Sequence, residues 1–367
     1  YAKMADQSPT NPTIEQQDTA IESLPNTEIR VESCADGSIW DNYVSHHPQA
    51  SVYHLFEFRD AVTQAFGRET HYWLARQDDR VVGVLPVVRL KSALFGDFLT
   101  SLPYVTYGGA LFDSPAVREA LVAHAIGMAR DLGCQHLELR DESPLPDLAV
   151  RTDKITMQLS LPDDPDILFK AIGSKLRAQV RRPGKAGAES FVGGKELLDD
   201  FYAIISRKYR DLGVPIYSRR WFEALLDWRP DDSCIAAVKL DGKVVAAGLL
   251  LGYREGIEVP YAASLREADR LSVNMLLYWQ MMQFSIDKGY KLFDFGRTTP
   301  DSGTHRFKRQ WGAEPKQLYW HYWMRDGGEA PQLNANNGRY GLAVRAWQKL
   351  PVWAANAIGP RIVKNLP

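Results

Sequence analysis

The sequence predicts an α/β (α+β) fold of two tandem domains, each with a mixed, mostly antiparallel sheet flanked by helices. Three observations lead to this prediction. The chain has 367 residues, more than one hydrophobic core usually accommodates. Its 45% hydrophobic and 24% charged residues are typical of a globular protein. A pattern of hairpin, helix and strand occurs once in each half of the chain, which indicates duplication.

In the first half, we expect a strand near residues 28–32 and a helix over 39–44. An amphipathic helix over 55–66 should end at Gly67. Two strands over 72–76 and 81–88, joined by a tight turn, then form the first hairpin.

The first crossover helix begins with Ser114 as its N-cap and Pro115 at its first position, and it runs to about residue 132. A strand over 136–139 follows. The second half repeats this order, with a hairpin over 234–240 and 243–253, a helix over 272–288 and a strand over 292–295.

The predicted domains are residues 28–162 and 163–330, because Pro162 to Pro165 form a polar break. Residues 1–27 lack apolar periodicity and are predicted to be disordered. Residues 331–367 alternate apolar and basic side chains, including Trp347 and Trp353, as an amphipathic tail would. Pro351 and Pro360 should break this tail into pieces, which either contact a membrane surface or pack on protein.

Composition excludes several classes of protein. The formal net charge is only -1, so anion binding must come from local clusters. Three scattered cysteines argue against a disulfide framework. No apolar run is long enough to span a membrane, and no signal sequence opens the chain. We therefore expect a cytoplasmic protein, with peripheral contact at the inner membrane as an alternative.

The stretch from Gly289 to Gly312 concentrates charge where a buried strand ends. Arg297 follows the strand, and Lys308 lies between Phe307 and Trp311. A cation in a partly dry pocket stabilises developing negative charge strongly. The alternative is an ordinary amphipathic helix whose cations are solvated.

A second basic stretch runs from Lys170 to Lys185 without any acid. On a helix, Arg177 and Arg181 share one face and Lys175 lies on another, and Pro183 and Gly184 should end that helix. Such a cluster suits phosphate binding. A solvated face and, less favoured, RNA binding are the alternatives.

These motifs resemble those of the FemAB-like family of tandem GNAT-fold transferases. The resemblance rests on Phe307-Lys308-x-x-Trp311-Gly312, on Lys175-x-Arg177-x-x-Val180-Arg181 and on Tyr53-His54-x-x-x-Phe58. It continues in Tyr107-Gly108-Gly109 and covers most of residues 50–325. The sequence is most similar to the branch associated with exosortase and PEP-CTERM systems, which accompanies envelope or exopolysaccharide genes.

The resemblance implies a catalytic Lys308 that polarises the carbonyl of a donor ester. It also implies a catalytic Asp113, which otherwise is a turn acid before the Ser114 cap, and substrate contacts from His54, Tyr107 and Trp311. From its position, Asp294 either orients a reacting group or pairs with Arg297.

His305 has the pKa range of a general base and is a further substrate-binding candidate, as is Arg297. No histidine spacing predicts a metal site. Neither half contains the glycine-rich turn with which GNAT enzymes hold CoA, and no helical arm for transfer RNA is evident.

We therefore expect no tightly bound cofactor and leave the donor open between acyl-CoA, acyl carrier protein and aminoacyl-tRNA. The predicted function is N-acyl or aminoacyl transfer to an amine of a phosphorylated or lipid-linked envelope or exopolysaccharide precursor. The alternative is a catalytically inactive binding or scaffold component of a polysaccharide assembly system.

Overall fold

The computed structural model describes residues 28–331 and 338–366, so the segment predicted to be disordered, 1–27, lies outside the described residues. The strands are β1 (Arg30–Ser33), β2 (Glu69–Gln77), β3 (Arg80–Ser92), β4 (Gly96–Thr100), β5 (Leu111–Phe112), β6 (His136–Asp141), β7 (Ala149–Arg151), β8 (Ile155–Ser160), β9 (Glu189–Gly193), β10 (Ser233–Leu240), β11 (Lys243–Tyr253), β12 (Gly256–Ser264), β13 (Leu292–Thr298), β14 (Glu314–Gln317) and β15 (Tyr319–Met324). The helices are α1 (Gly37–His46), α2 (Phe58–Phe66), α3 (Pro115–Asp131), α4 (Pro165–Ala171), α5 (Ser174–Lys185), α6 (Leu198–Leu212), α7 (Arg219–Trp228), α8 (Val273–Asp287), α9 (Gly303–Arg309), α10 (Gly338–Gln348) and α11 (Val352–Val363).

The strands form two sheets, which confirms the predicted duplication. The first sheet has the order β1-β2-β3-β4-β6-β15-β7, with β5 also pairing with β3. The second has the order β14-β8-β13-β12-β11-β10-β9. Within each sheet, an antiparallel meander is followed by a helix that crosses over to one parallel strand: β6 beside β4, and β13 beside β12.

Two strands lie in the sheet of the other half. β8 precedes the predicted boundary at residue 162, yet it pairs with β13 and β14 in the second sheet. β15 follows the second half along the chain but pairs with β6 and β7 in the first sheet. Each sheet therefore depends on a strand from the neighbouring stretch of sequence, and the chain crosses twice between the halves.

Each parallel pair is short and then parts. In the first half the register ends at Thr100 opposite Glu138, and in the second at Glu258 opposite Asp294. An acidic residue therefore stands at the equivalent position of both halves. In the first half, the parted strands enclose the side chain of Arg140, whose Nη1 donates to the carbonyl of Val105 at 2.6 Å.

Three hydrophobic cores hold the layers together. One lies between α3 and the first sheet, and another packs α5 and α8 against the second sheet. The third is shared between the halves, because helices α1 and α2 meet α6 and α7 there. At its centre Trp221 is fully buried and lies 5.0 Å from the ring of Phe66, and its Nε1 donates to the hydroxyl of Tyr261 at 3.1 Å.

Several local predictions are confirmed. Gly67 ends α2 in the left-handed conformation, with φ 63°. Ser114 caps α3 by accepting from the backbone N–H of Val117. Two proline predictions are wrong, since Pro183 lies inside the last turn of α5 and Pro360 inside α11. Proline lacks the N–H that would bond to the carbonyl four residues earlier, and each helix continues only two or three residues beyond its proline.

The shared core predicts that the two halves unfold together. We expect Trp221→Ala to lower the free energy of unfolding by about 3 to 5 kcal/mol, because the cavity opens between layers that cannot close on it. Trp353→Ala removes a tryptophan that is 75% exposed and should change it by less than about 0.5 kcal/mol. Urea denaturation followed by circular dichroism measures both variants. Two separate transitions in the wild type would contradict the shared core.

Candidate active site

A cleft of about 630 Å³ opens where β12 and β13 part. Its walls come from both halves of the chain: residues 48–52 and Tyr107 from the first, and Glu258, Asp294 and Gln158 from the second sheet. We call this space the cleft and use Tyr107, Glu258 and Asp294 to define it.

Asp294 is held rigidly at the floor of the cleft. Its Oδ1 accepts from the Thr156 hydroxyl at 2.6 Å and from the backbone N–H of Gly296 at 2.7 Å. Its Oδ2 accepts from Gln158 Nε2 at 3.0 Å and from the Tyr107 hydroxyl at 3.3 Å. Asp294 does not pair with Arg297, which was the alternative from the sequence, because all of these partners are uncharged.

Glu258 is a candidate functional residue that the sequence analysis missed. It faces Asp294 across the parallel strand pair and is only 5% exposed. Burial, followed by repulsion from Asp294, raises the pKa of Glu258 to about 8. The available signal was a single acid inside the otherwise apolar strand β12. A carboxyl group with this pKa can take up a proton near neutral pH.

Tyr107 connects the two carboxyl groups. Besides its contact with Asp294, its hydroxyl lies 3.5 Å from Glu258 Oε2. Burial and then the charge of Glu258 raise the pKa of Tyr107 well above the usual range. The phenol therefore stays protonated and can donate to either acid or to a group bound in the cleft.

Lys308 is 6% exposed and is not among the residues that line the cleft, but it lies near enough to Asp294 and Glu258 for both to act on its pKa. Helix α9, capped by Ser302, positions it so that Nζ donates to the carbonyls of Gly296 at 2.7 Å and Arg297 at 3.0 Å. Burial lowers the pKa of Lys308 to about 8, against the opposing effect of Asp294 and Glu258. An ammonium group has three donors, so one N–H is left for a substrate oxygen.

His54 and His305 both make hydrogen bonds to backbone groups of nearby loops. His54 accepts from Ser51 N at 3.1 Å and contacts the carbonyl of Gly109 at 3.1 Å through its other ring nitrogen. Burial lowers the pKa of His54 to about 4, so the ring is neutral and holds the loop that carries Tyr107. His305 Nδ1 accepts from the backbone N–H of Asp301 at 2.9 Å.

Asp113 and Trp311 do not line the cleft. Asp113 is exposed on the loop before α3, where it accepts from the Tyr43 hydroxyl at 2.8 Å. This placement fits its reading as a turn acid before the Ser114 cap. Trp311 is 2% exposed and packs in the core of the second sheet beside Phe307. Both side chains are therefore occupied by structural contacts.

The basic cluster on α5 is also outside the cleft. Arg177 Nη1 donates to the carbonyls of Lys170 and Ile172 at 3.0 and 2.7 Å, which satisfies the end of α4. Arg181 lies over the ring of Phe169 at 4.9 Å, and Lys175 is exposed. Phosphate binding by this cluster stays a prediction, and the guanidinium of Arg177 holds the end of α4.

The side chain of Arg297 extends toward the first sheet. Its guanidinium carbon lies 4.8 Å from the centre of the Trp320 ring. Within residues 28–331 and 338–366, no group of three or more His, Cys, Asp or Glu side chains could hold a metal ion.

The raised pKa of Glu258 predicts a pH-dependent stability. The unfolded chain releases this proton near pH 4.5 and the folded protein only near pH 8. The folded state thus binds more protons between these values, so the free energy of unfolding falls as the pH rises through this window. We expect Glu258→Gln to remove about 2 to 4 kcal/mol of that fall, measured by urea denaturation from about pH 5 to 8.

The matched control is Glu255→Gln, which alters an exposed carboxylate of the same cleft. This control should keep the wild-type dependence on pH. Equal slopes in the wild type and Glu258→Gln would contradict the raised pKa.

Comparison with known proteins agrees with this architecture. Residues 174–309 match the family model described as an acetyltransferase (GNAT) domain. No curated protein sequence matches the chain. The structure of FemX aligns with 79% of this chain and 96% of its own, at 15% identity and a TM-score of 0.64.

Two further structures are similar over most of their length. A tandem GNAT protein from the clavulanic acid biosynthesis pathway covers 83% of this chain and 100% of its own, at 14% identity and a TM-score of 0.54. L-PGS from Bacillus licheniformis covers 86% and 98%, at 14% identity and a TM-score of 0.52. The chain therefore has a tandem GNAT fold, and the residues that match the GNAT domain model lie in the second half.

Proposed function

We propose that this protein transfers an acyl or aminoacyl group to an amine, and that the reaction takes place in the cleft. The observation that carries the proposal is a buried acid that lines the cleft and a buried ammonium group behind it, both with a pKa of about 8. Perturbed acid and base groups in a cleft are typical of active sites. The tandem GNAT fold supports the same reaction class.

In the proposed step, the amine nitrogen of the acceptor attacks the carbonyl carbon of a donor ester or thioester. The free N–H of Lys308 donates to the carbonyl oxygen, which gains negative charge as the bond forms. Glu258 accepts the proton that the amine loses, and it returns this proton to the leaving oxygen or sulphur when the donor bond breaks. Asp294 keeps Glu258 basic, and Tyr107 holds both acids in place.

The acceptor is an amine on a phosphorylated or lipid-linked precursor of the cell envelope or an exopolysaccharide. The family resemblance supports this class, as does likeness to FemX and to a putative lysylphosphatidylglycerol synthetase from Agrobacterium fabrum, whose name denotes an aminoacylated lipid. That neighbour covers 84% of this chain at 12% identity and a TM-score of 0.53.

The tail bears on where such an acceptor is met. Helices α10 and α11 expose Leu342, Trp353 and Ile358, which are 71%, 75% and 42% accessible. Exposed apolar side chains beside Arg361 and Lys364 suit peripheral contact with an anionic membrane from the cytoplasmic side. Across the described residues, no helix has the length and apolar character needed to cross a membrane.

Lys308→Ala tests the catalytic assignment. We expect transfer to fall by at least about 100-fold, because the developing oxyanion loses its donor. The assay incubates the protein with acyl-CoA, acyl carrier protein or aminoacyl-tRNA and a pool of amino sugars and aminolipids, and it detects transfer by mass spectrometry. Lys291→Ala, at the exposed rim of the cleft, should keep activity within a few-fold. Equal activity of Lys308→Ala and wild type would refute the role.

The rate should also depend on pH in a defined way. Glu258 must be deprotonated and Lys308 protonated, so kcat/KM should rise and then fall in a narrow bell centred near pH 8. Glu258→Gln should lower the rate and remove the rising limb. A profile whose rising limb survives in Glu258→Gln would assign the base to another group.

A further inference from the structure

A second, smaller recess lies on the first sheet, on the face opposite α3. Its volume is about 230 Å³. The residues that matter are Arg140 on β6, Arg297 on β13 and Trp320 on β15, and we call the space the arginine recess. It surrounds Glu138, which stands at the position equivalent to Asp294, where β4 and β6 part. The duplicated fold therefore places a recess at the parting strands of both halves.

The arginine recess carries more positive charge than its acids neutralise. The guanidinium groups of Arg140 and Arg297 lie 4.5 and 4.8 Å from the centre of the same Trp320 ring. Glu138 accepts from Arg140 Nε at 2.7 Å and from the Tyr322 hydroxyl at 2.9 Å. Within the described part of the chain, Arg297 makes no ion pair with a carboxylate, and it is exposed where it lines the recess.

Hydrogen-bond donors in this recess also lack acceptors. Nη2 of Arg140 and Nε1 of Trp320 are buried, and neither has a partner among the described residues. The two side chains are 1% and 8% exposed. A buried donor without a partner costs about 1 to 3 kcal/mol, and more when it is charged. The unsatisfied donors and the excess charge favour the same ligand, which is an anion with several acceptor oxygens.

The cations at the rim differ from these two arginines. Arg151 makes two contacts with Asp153, at 3.2 and 3.1 Å, and Lys154 contacts the same carboxylate at 3.2 Å. Their charge is compensated, so they contribute less to anion binding. The uncompensated charge lies on Arg297, whereas Arg140 is paired with Glu138 and contributes an Nη2 donor that has no partner among the described residues.

We propose that the arginine recess binds a phosphate group through Arg140, Arg297 and Trp320. Donors come from three separate strands, and a tetrahedral phosphate offers acceptors in more directions than a planar carboxylate does. The volume is below the usual range for a whole drug-sized ligand, which indicates that one phosphate group occupies it while the remainder of the molecule extends outside. This binding does not depend on the transfer chemistry proposed for the cleft.

Arg297 connects the recess to Lys308. The carbonyl of Arg297 accepts from Lys308 Nζ, whereas its side chain lines the arginine recess. The positive charge of Arg297 is among the causes that lower the pKa of Lys308. A phosphate on Arg297 offsets that charge, and the pKa of Lys308 then rises.

Isothermal titration at low ionic strength with inorganic phosphate, pyrophosphate and uridine diphosphate tests the proposal. Wild-type protein should bind at least one of them, and Arg297→Gln should weaken that binding by about 10-fold or more. Arg181→Gln is the matched control, since Arg181 also lies on an aromatic ring, at 4.9 Å, and it belongs to the basic cluster on α5. This variant should bind as the wild type does.

Trp320→Phe keeps the ring and removes its N–H, and it should weaken binding several-fold. Stronger binding of pyrophosphate or uridine diphosphate than of phosphate identifies the ligand as a diphosphate, whereas equal binding identifies a single phosphate group. No binding to wild type, unchanged binding in Arg297→Gln, or a loss confined to Arg181→Gln would overturn the proposal. Because no turnover is measured, failure here is separate from failure of the proposed transfer reaction.

Discussion

The site depends on two carboxyl groups that face each other on parallel strands. Glu258 and Asp294 are 5% and 4% exposed, and two like charges this close in a dry environment cannot both ionise easily. Asp294 accepts from uncharged donors, whereas burial and repulsion from Asp294 raise the pKa of Glu258 to about 8, so Glu258 is the acid that holds its proton near neutral pH. Hydrogen bonding thus separates the roles of two chemically similar groups.

This arrangement depends on the crossing of β8 into the second sheet and on a loop of the first half. Thr156 and Gln158, which hold Asp294, lie on β8, and Tyr107 comes from the first half. The matched GNAT domain, residues 174–309, contains Glu258, Asp294 and Lys308 but none of those three supports. In the proposed reaction the second half therefore supplies the reacting groups, and the first half and β8 support them. Such division explains why the third core joins the halves tightly.

Part of the fold and of the candidate site could be predicted from the sequence, because local sequence signals determine local structure. Gly67, Ser114 and the two hairpins follow from capping and turn chemistry, which depend on a few neighbouring residues. Lys308 and Asp294 were chosen as candidate site residues because they lie in one continuous motif. Contacts between distant segments leave no local signal, so the crossing strands were not predicted.

Single charged residues illustrate the same limit. Glu258 looks like any acid in a strand until its register with Asp294 is known. Arg140 gave no signal either, since its importance arises from Trp320, far away along the chain. Conversely, Arg177 lies in a conspicuous basic cluster, yet its guanidinium donates to the carbonyls at the end of α4. Density of charge in a sequence does not reveal which charges remain uncompensated after folding.

The two recesses are linked by one irregularity in β13. Its pairing with β8 aligns Asp294 with Gln158 but Arg297 with Thr156, so β13 contains one extra residue there. Such a bulge places Asp294 and Arg297 on the same face of the sheet, although regular alternation would separate them. Gly296 makes this turn with φ 73°, and a Cβ at this position would lie 3.2 Å from the carbonyl of Val259.

As a result, the backbone after Asp294 directs the carbonyls of Gly296 and Arg297 toward Lys308. The side chain of Arg297 reaches Trp320 in the first sheet. A regular strand would leave Lys308 without these two acceptors and would direct Arg297 into the core of the second half. The extra residue therefore allows the end of β13 to hold the ammonium group of Lys308 through backbone carbonyls and to present the guanidinium of Arg297 to the arginine recess. Any ligand that moves Arg297 must act on the same few backbone atoms that hold Lys308.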